Sequence, residues 1–588
     1  MKPIYFSLIL ALLSLSILHA QPDPPLPKGF TPEELERMDD YLQSRPAASR
    51  GIDTPPPFPV RTMAEWEEIQ SLVIAWTGYP AILREIVRNA REECEVIIVC
   101  SNQAQVRNYL TSGGVSMDNV TLLVRSFNSV WMRDYGGNTV YSEDLDSLLL
   151  VDWIYNRPRF QDDLVPESVA ELKGIPLYAT TAAPNDLVHT GGNFMSDGFG
   201  TGFSSRLILE ENSPSGFFNI TNKNEMQIDQ LMADFMGITR YPKMEELPYD
   251  LIHHIDMHMK LLDEETLIVG EYPDGVADGP QIEANLQYLL SNFPSVFGTP
   301  YKLIRVQMPP DAFDRYPDGN GHYRTFTNAV FVNKTLLVPI YEERYDTTAL
   351  RIYREALPGY KVVGIDCNDI IPASGALHCI TKAVGADDPL LISHQALRNT
   401  ESTDDYSVNA YLRHASGIQS ATLFYRNDVG TVFESVPMRQ ADPDNFNWTA
   451  DIPGQPVGTR IQYYVEAEAV SGKKQVRPMP APEGYWQFEV EGDVTSTRPL
   501  AQDLAQLGQV FPNPANAITC IPLSSSRPLN ARISLVNMLG QEVELIHEGM
   551  IPKGESKYFF FANSYPAGSY FVRLQTEAGT AISKVVVH

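Results

Sequence analysis

The chain has 588 residues, of which 43% are apolar and 20% are charged. This composition is ordinary for globular proteins and excludes disorder throughout, and the length corresponds to about four domains. Lys and Arg number 45 against 73 Asp and Glu, which gives a net charge of −28. A surface this acidic repels phosphate backbones, so we expect no nucleic-acid partner, and it favours a cationic substrate.

The first 20 residues have the pattern of a secretory signal. Lys2 precedes the almost wholly apolar run Ile4–Ile17, and His19-Ala20 stands directly before the polar run Gln21-Pro22-Asp23. A membrane anchor is the alternative, but about 15 apolar residues are short for a bilayer span. We therefore expect Met1–Ala20 to be a signal peptide and the protein to be exported.

The five cysteines, at positions 94, 100, 367, 379 and 520, leave at least one thiol without a disulfide partner. Cys94 and Cys100 flank a strand-like run that would hold them about 20 Å apart, too far for a disulfide. The sequence has no CxxC pair, so a structural zinc site is not expected.

Residues 21–57 are rich in proline and contain one helix signal. Thr31 can cap a helix that begins at Pro32, where the fixed φ of proline suits the first turn. We interpret this stretch as a leader or a small packing segment.

From 58 to 398, strand-like and helical runs alternate, which predicts an α/β domain. The predicted strands are Ser71–Ala75, Glu95–Val99, Thr121–Val124, Leu148–Val151, Leu267–Val269, Ala329–Val332 and Leu336–Pro339. The predicted helices are Pro80–Glu93, Asn224–Phe235 and Thr347–Ala356.

The remainder of the chain has a β character. Residues 405–491 contain no convincing helix, and their alternating runs between turns predict an immunoglobulin-like β-sandwich. Asp493–Arg498 is a polar linker. Residues 505–588 are again all-β in pattern, and the last 88 residues carry six basic and six acidic side chains, so they are neutral in an acidic chain. We therefore expect the tail to be a separate module.

Four short motifs carry reactive side chains. Asp134 lies in Trp131-Met-Arg-Asp-Tyr-Gly-Gly, His254 and Asp256 lie in His-Ile-Asp-Met-His, and Cys379 closes Gly-Ala-Leu-His-Cys. His189-Thr-Gly-Gly-Asn is a further glycine-bearing turn. Carboxylates can orient a guanidinium, a thiolate can attack its carbon, and a histidine can protonate departing ammonia and activate water.

Each motif also has a simpler interpretation. If the run from His254 to His258 is extended, its alternate side chains share one face and could bind a metal or simply face solvent. Cys379 alone is more often a small buried apolar residue than a nucleophile. Asp134 could stabilise only the turn that follows it.

Taken in order, these motifs resemble the Porphyromonas-type peptidylarginine deiminase and agmatine deiminase family. The resemblance covers residues 58–398 and includes Met63-Ala-Glu65 and Thr327–Asn333 with Val338-Pro339. It implies an α/β-propeller of five ββαβ units that uses no metal or organic cofactor. It also implies a set of roles: Cys379 as nucleophile, His254 as general acid/base, Asp134 and Asp256 as guanidinium clamps, Asn328 near the substrate and Trp131 as a pocket wall.

The segment from Asp152 to Arg159 resembles the secreted peptidylarginine branch, in which two arginines one residue apart hold a substrate's terminal carboxylate. Arg157 and Arg159 are therefore predicted to bind substrate, since agmatine has no carboxylate for them to bind. The alternative is that they pair with Asp162 and Asp163 on a surface loop. The chain departs from that branch at Met257-His258, which would alter the pocket.

The tail resembles the sorting domains of the type IX secretion system. The matching runs are Val510–Ala515, Gly540–Val543, Pro566–Tyr570 and Lys584–Val587. The resemblance implies type IX machinery as a partner, passage across an outer membrane, and release or surface attachment after tail removal. An ordinary terminal β-sandwich is the alternative.

We therefore expect a secreted hydrolase that converts arginine, in a peptide and preferably at its C-terminus, to citrulline and ammonia through a covalent thiouronium. The first alternative is an agmatine deiminase that acts on a small free guanidine. The second is a surface binding protein whose deiminase-like domain is inactive.

Overall fold

The computed structural model describes residues 25–44, 50–427, 430–442, 445–491, 504–538, 540–576 and 579–587. The predicted signal peptide Met1–Ala20 and the predicted linker Asp493–Arg498 lie outside this part. Within it, no helix is both long enough and apolar enough to cross a membrane. The chain divides into two compact units, one of Met1–Arg398, Asp405–Pro453 and Arg460–Phe488, the other of Asn399–Asp404, Gly454–Thr459 and Glu489–His588.

The described residues up to position 398 form an α/β structure, as the alternating pattern predicted for residues 58–398. Its strands are β1 (Val60–Thr62), β2 (Ile69–Ala75), β3 (Glu95–Cys100), β4 (Val120–Val124), β5 (Asn138–Ser142), β6 (Leu148–Tyr155), β7 (Leu177–Thr180), β8 (Val188–His189), β9 (Met195–Ser196), β10 (Gly202–Ser205), β11 (Lys243–Met244), β12 (Met259–Leu261), β13 (Thr266–Glu271), β14 (Lys302–Gln307), β15 (Val330–Val332), β16 (Thr335–Ile340), β17 (Lys361–Asp366), β18 (Lys382–Gly385) and β19 (Leu391–His394).

The helices of the same region are α1 (Pro32–Glu36), α2 (Met38–Ser44), α3 (Pro80–Ala90), α4 (Gln103–Ser112), α5 (Met132–Tyr135), α6 (Phe160–Asp163), α7 (Val165–Lys173), α8 (Leu207–Glu211), α9 (Glu225–Met236), α10 (Asp278–Asn292) and α11 (Glu343–Ala356). The predicted cap at Thr31 is confirmed, because its hydroxyl accepts from the backbone N–H of Glu34 while the Glu34 carboxylate accepts from the backbone N–H of Thr31.

In the described residues up to β18, the strands form five sheets. Their orders are β1-β5-β6-β7 with β8 beside β6, β11-β10-β9, β12-β13-β14, β15-β16-β17, and β18-β2-β3-β4. The third and fourth share one plan: an antiparallel pair is followed by a helix that returns the chain to a parallel third strand. Five sheets agree in number with the five expected units, and the closed propeller itself stays a prediction.

Strand β18, near the end of this region, pairs with β2, near its start. Lys382–Gly385 runs antiparallel to Ile69–Ala75, which brings the two ends of the α/β region into one sheet. The helix α3 buries Ile82, Leu83, Ile86, Val87 and Ala90 along a single face, the spacing of an amphipathic helix. The apolar core holds the turns between the sheets in place. These turns carry the motifs of Asp134, His254 and Cys379.

Two antiparallel sheets follow. Their strands are β20 (Tyr406–Arg413), β21 (Ile418–Asn427), β22 (Glu434–Pro437), β23 (Arg439–Asp442), β24 (Asn447–Ile452), β25 (Arg460–Ala469), β26 (Lys474–Arg477) and β27 (Trp486–Glu489). One sheet has the order β19-β20-β24-β23, so β19 joins it from before position 405, and the other has the order β22-β21-β25-β26 with β27 beside β25. The immunoglobulin-like assignment stays a prediction.

The C-terminal tail is all-β, as its pattern predicted. Its strands are β28 (Ala505–Leu507), β29 (Ile518–Ser525), β30 (Leu529–Val536), β31 (Glu542–Ile551), β32 (Gly554–Phe561), β33 (Gly568–Thr576) and β34 (Gly579–Val587). They form two sheets with the orders β28-β29-β32 and β31-β30-β33-β34. The tail has an apolar core of its own, which includes Ile521, Leu523, Ile533 and Leu535.

Arg477, on β26, reaches from the region of β20 to β27 into the α/β region of the same compact unit. One of its terminal nitrogens donates to the backbone carbonyl of Trp66 at 3.1 Å, and the other lies 3.5 Å from the Glu264 carboxylate. Burial raises the pKa of Glu264 to about 7 even though Arg477 lowers it. The Arg477 guanidinium is therefore the counter-charge that stabilises the ionised form of the buried Glu264 carboxylate.

We expect Arg477→Ala to lower the free energy of unfolding of this unit by about 3–5 kcal/mol, because it leaves Glu264 buried without its partner. Lys474→Ala is the matched control on the same strand; its partner Glu468 lies near solvent, so its effect should stay below about 0.5 kcal/mol. Urea denaturation followed by tryptophan fluorescence measures both, and equal effects would contradict the assignment.

Candidate active site

The predicted reactive residues lie on turns between sheets. Asp134 belongs to the single-turn helix α5, Asn328 lies just before β15, and Cys379 belongs to the 3-10 turn His378–Ile380. His254 caps a 3-10 turn that spans Ile255–Met257. The residues that sequence reasoning singled out here are all buried, with at most 2% of each residue's surface exposed: Cys379, His254, Asp134, Asp256, Asn328 and Trp131.

The run from His254 to His258 is not extended, so the prediction that its alternate side chains share one face is wrong. A turn forms because the Asp250 carboxylate accepts from the backbone N–H of Ile252 and of His254, which holds the chain in a tight bend. In the described part of the chain, no group of three metal-binding side chains could hold an ion. His258 and Met257 are buried, and burial lowers the pKa of His258 to about 4.

Cys379 is surrounded by polar groups that converge on its sulfur. Its Sγ lies 2.8 Å from Nζ of Lys28, 3.2 Å from Nδ2 of Asn328 and 3.7 Å from Oδ2 of Asp256. The Asn328 Oδ1 accepts from the backbone N–H of His378 at 3.0 Å and of Cys379 at 3.4 Å. Asn328 thus fixes the turn that carries the thiol and also contacts the sulfur.

Asp256 is oriented by a buried ionic network. Its Oδ2 lies 2.8 Å from Nδ1 of His378, whose other ring nitrogen contacts Glu65. Glu65 in turn contacts Arg133 and Lys260. This network was not predicted as a unit, although Met63-Ala-Glu65 and the Gly-Ala-Leu-His-Cys motif each contribute one member.

Asp134 and His254 lie on the other side of the site, with His254 Nδ1 and Asp134 Oδ1 3.7 Å apart. The backbone N–H of Gly192 donates to the same carboxylate oxygen at 3.2 Å. A Cβ on Gly192 would lie 2.4 Å from His254 Nδ1, so only glycine allows this approach. In the described residues, neither His254 ring nitrogen nor Asp256 Oδ1 has a hydrogen-bond partner, so these groups remain available to a ligand.

The charges in the site oppose one another. Burial and the neighbouring carboxylate of Asp256 raise the pKa of Cys379 to about 12, against the lowering effect of Lys28. Burial and Lys28 hold the pKa of His254 well below its ordinary value. Burial favours protonation of Asp256, but Lys28 and His378 outweigh it and lower the pKa of that carboxyl. The site therefore combines a neutral thiol, a neutral imidazole and an ionised Asp256.

Trp131 forms a wall beside Cys379. A Cβ on Gly375 would lie 2.5 Å from the Trp131 ring and 3.1 Å from the Cys379 sulfur, so glycine is needed between the two. The Trp131 Nε1 donates to the backbone carbonyl of Leu26 at 2.9 Å, and its ring centroid lies 5.9 Å from the Lys28 ammonium. The ring thus contacts a cation, as a pocket wall for a guanidinium would.

Arg157 and Arg159 are buried beside this cluster rather than on a surface loop. Arg157 Nε donates to the backbone carbonyl of Lys28 at 2.9 Å. Arg159 Nη2 donates to the carbonyls of Pro27 and Gly29, and its Nε lies 2.7 Å from the Glu34 carboxylate. The alternative of pairs with two nearby aspartates is wrong in this structure. Asp163 pairs instead with Arg50, and Asp162 accepts from the backbone N–H groups of Asn128 and Ser129.

Lys28 is the residue at the centre of the site that sequence reasoning missed. Its side chain is fully buried and is the cation nearest to Cys379, and its Nζ lies 3.8 Å from Asp134 Oδ1. Burial disfavours the charged form, but Asp134, Cys379 and Asp256 outweigh it and raise the pKa of Lys28. The only signal in the sequence is that Lys28 is the single basic residue between Gln21 and Glu36.

Two parts of the chain match known protein families. The profile of the Porphyromonas-type peptidyl-arginine deiminase family matches residues 61–384, and that of a secretion system C-terminal sorting domain matches residues 509–588. A provisionally named agmatine deiminase of Mycoplasma capricolum is 22% identical over 328 residues, which are 50% of this chain and 85% of that protein.

Solved structures resemble the same region. A provisionally named agmatine deiminase is 23% identical with a TM-score of 0.50, and covers 58% of this chain and 99% of its own. The agmatine deiminase of Enterococcus faecalis is 20% identical with a TM-score of 0.49, and covers 57% of this chain and 98% of its own. The first likeness supports the α/β fold of this region.

The raised pKa of Cys379 predicts how its ionisation depends on pH. Below the pKa, the thiolate fraction rises about tenfold per pH unit. We expect the ultraviolet absorbance of the Cys379 thiolate, measured as the difference between the parent chain and Cys379→Ala, to rise through pH 7 to 10 without a plateau. Glutathione under the same conditions should level off above its ordinary thiol pKa, and a plateau for Cys379 below about pH 9 would contradict the burial argument.

Proposed function

The chain belongs to the Porphyromonas-type peptidyl-arginine deiminase family, and on that premise we propose that it hydrolyses the guanidinium of arginine in peptides to citrulline and ammonia. The family acts on guanidino C–N bonds. One observation carries the proposal for this chain: a cationic side-chain head is buried between Asp134 and the Cys379 sulfur, with Asp256 beside that sulfur. A guanidinium is a cation with the same need for carboxylates.

The proposed reaction begins when the Cys379 thiolate attacks the guanidinium carbon and forms a C–S bond. The C–N bond to a terminal nitrogen then breaks, and that nitrogen leaves as ammonia after it takes a proton, which leaves a thiouronium on sulfur. Water attacks the same carbon, the C–S bond breaks, and the thiolate returns as citrulline departs. The sum is arginine plus water giving citrulline plus ammonia.

His254 is the proposed carrier of protons in these steps. Neither ring nitrogen has a hydrogen-bond partner within the part of the chain that the structure describes, and the low pKa keeps the imidazole neutral at physiological pH. The neutral imidazole can take the proton of the Cys379 thiol as the thiolate forms, and the resulting imidazolium can protonate the departing nitrogen. The imidazole restored in this way can then accept the proton of the attacking water and return it to the sulfur when the C–S bond breaks. Asp134, 3.7 Å from Nδ1, would stabilise that imidazolium.

Thiolate formation depends on the substrate's charge. The neighbouring carboxylates oppose a negative sulfur, whereas a cation beside it favours one, as Lys28 does here. A guanidinium in the same place would lower the pKa of the thiol that attacks it. The site would then become reactive only when a cationic substrate is bound.

The groups beside the Cys379 site favour peptidyl arginine over a small free guanidine as the substrate. Arg157, Arg159 and Trp131 all donate to main-chain carbonyls in this structure, and agmatine has none. We propose that in a substrate the two arginines bind a peptide end, with a C-terminal carboxylate as the strongest partner.

An agmatine deiminase is the second candidate, because the curated relatives found carry that name. A binding protein without activity is disfavoured, since it has no need to keep thiol, imidazole and two carboxylates together. The sorting domain points to export and to a surface or secreted location. We propose type IX secretion across the outer membrane, with Met1–Ala20 as the signal peptide.

Detection of ammonia and of the ureido product, with free arginine, agmatine and peptides with terminal or internal arginine as substrates, tests the activity. We expect Lys28→Ala protein to convert arginine in peptides to citrulline, and the Cys379→Ala change in that background to abolish the conversion, since only the thiol supplies the covalent step. Circular dichroism checks that the second change leaves the fold intact. Citrulline formation that survives in Cys379→Ala, or none from any peptide in Lys28→Ala, would overturn the proposal.

Substrate choice gives a second test. A paired guanidinium–carboxylate contact that is partly desolvated is worth about 2–4 kcal/mol, so a peptide that ends in arginine should exceed its C-terminal amide by about 30- to 1000-fold in kcat/KM. Arg157→Ala with Arg159→Ala should remove most of that ratio. The ratio is the readout because any change in access to the site affects both peptides equally; a ratio near one in the parent protein would contradict the assignment.

A further inference from the structure

Residues 25–30 lie across the candidate active site with a bend at Lys28 and Gly29, and four consecutive carbonyls of this segment are bound. Trp131 binds the carbonyl of Leu26, Arg159 binds those of Pro27 and Gly29, and Arg157 binds that of Lys28. The backbone N–H of Lys28 donates to the carbonyl of Ala373 at 3.1 Å. Recognition of main-chain groups by buried side chains is how a peptide is held whatever its sequence.

The side chain of Lys28 reaches the reacting position. Counted from Cα, Nζ of lysine is the fifth atom of its side chain, and the guanidinium carbon of arginine is also the fifth. Lys28 Nζ lies 2.8 Å from the Cys379 sulfur, within the distance at which a reacting atom would stand. It is flanked by Trp131, as the guanidinium of a substrate would be.

We propose that residues 25–30 are an intramolecular pseudosubstrate, in which Lys28 occupies the place of a substrate arginine and keeps Cys379 inaccessible until the segment withdraws. The inference rests on the proposed function and adds its regulation. It also indicates how the peptide is placed: Arg157 binds the carbonyl of Lys28, which is where the C-terminal carboxylate of a substrate arginine would lie.

Lysine is suited to block the site because it cannot react there. It supplies the cation that Asp134 and Asp256 need, but it offers no electrophilic carbon bonded to a leaving nitrogen. The bound state is therefore a dead end, with the site filled and its charges balanced. Cys379, His254 and Lys28 are each at most 1% exposed, so no substrate reaches the sulfur in this conformation.

The segment is joined to the rest of the chain by lightly packed structure. The helix α1 has no buried residue, and α2 buries only Met38. Contacts from this stretch support closure: Glu34 binds Arg159, and the Tyr41 ring packs edge-on against Phe218 at 6.4 Å between centroids. Withdrawal of residues 25–30 therefore breaks a short set of contacts and leaves the α/β core intact. The apparent affinity for an external substrate is then the affinity of the open form multiplied by the fraction of molecules that are open.

The decisive variant is Lys28→Arg in the full chain, which replaces the blocking cation with a reactive one. We expect the introduced side chain to be converted to citrulline within the same molecule, with a mass gain of about 1 Da as an imino group is exchanged for oxygen. The rate should not depend on protein concentration. Lys334→Arg, at an exposed position, is the matched control and should not convert in this concentration-independent way, and Cys379→Ala should prevent conversion.

The second variant is Lys28→Ala, assayed with an external peptide that contains arginine. We expect kcat/KM to rise about tenfold or more over the parent chain, because the blocking cation is lost. Lys334→Ala should leave kcat/KM unchanged. Iodoacetamide labelling at Cys379 should rise in parallel, with Cys94 and Cys367, which are also buried, as internal standards in the same digest.

The outcomes separate the two proposals. Conversion in Lys28→Arg together with faster turnover in Lys28→Ala supports the pseudosubstrate. Turnover of external peptides at equal rates by the parent chain and Lys28→Ala, with no conversion in Lys28→Arg, overturns it and leaves the deiminase function standing. Absence of citrulline in every variant overturns the proposed function itself.

Discussion

The site is organised by a buried cation that two carboxylates require. Asp134 and Asp256 are buried, where isolated negative charges are costly, and Lys28 supplies the positive charge that holds the pKa of Asp256 low. In the proposed mechanism, attack by Cys379 would depend on the same charge, since the cation that satisfies the carboxylates also stabilises a thiolate. Affinity for a guanidinium and activation of the proposed nucleophile would then have one electrostatic origin.

Precision in this arrangement comes from short turns anchored by buried polar groups. Asn328 ties the thiol-bearing turn, the Asp250 carboxylate ties the turn that begins at His254, and Gly192 lets its backbone N–H reach Asp134. His378 and Glu65 then set the direction of the second carboxylate. None of these groups needs to touch substrate, yet together they leave His254 free to exchange protons.

Much of the fold could be predicted from sequence because periodicity reports burial locally. The runs at Glu95–Val99 and Leu267–Val269 lie inside observed strands, and the helix predicted from Asn224 begins one residue later, at Glu225. The bend at His254 could not be predicted, because it depends on a carboxylate whose partners are set by backbone geometry. Lys28 lies 351 positions before Cys379, and no local pattern reports a contact of that separation.

The donors that bind residues 25–30 have a consequence for inhibition. They recognise main-chain carbonyls, so a short peptide that carries lysine between proline and glycine presents the same groups from solution. Such a competitor faces a rival that is covalently tethered, whose effective concentration for a short connection is of the order of millimolar. A free ligand of this design therefore gains potency chiefly from rigidity in its bound conformation. Rigidity lowers the entropy cost of ordering the ligand, a cost that the tether already lowers for residues 25–30.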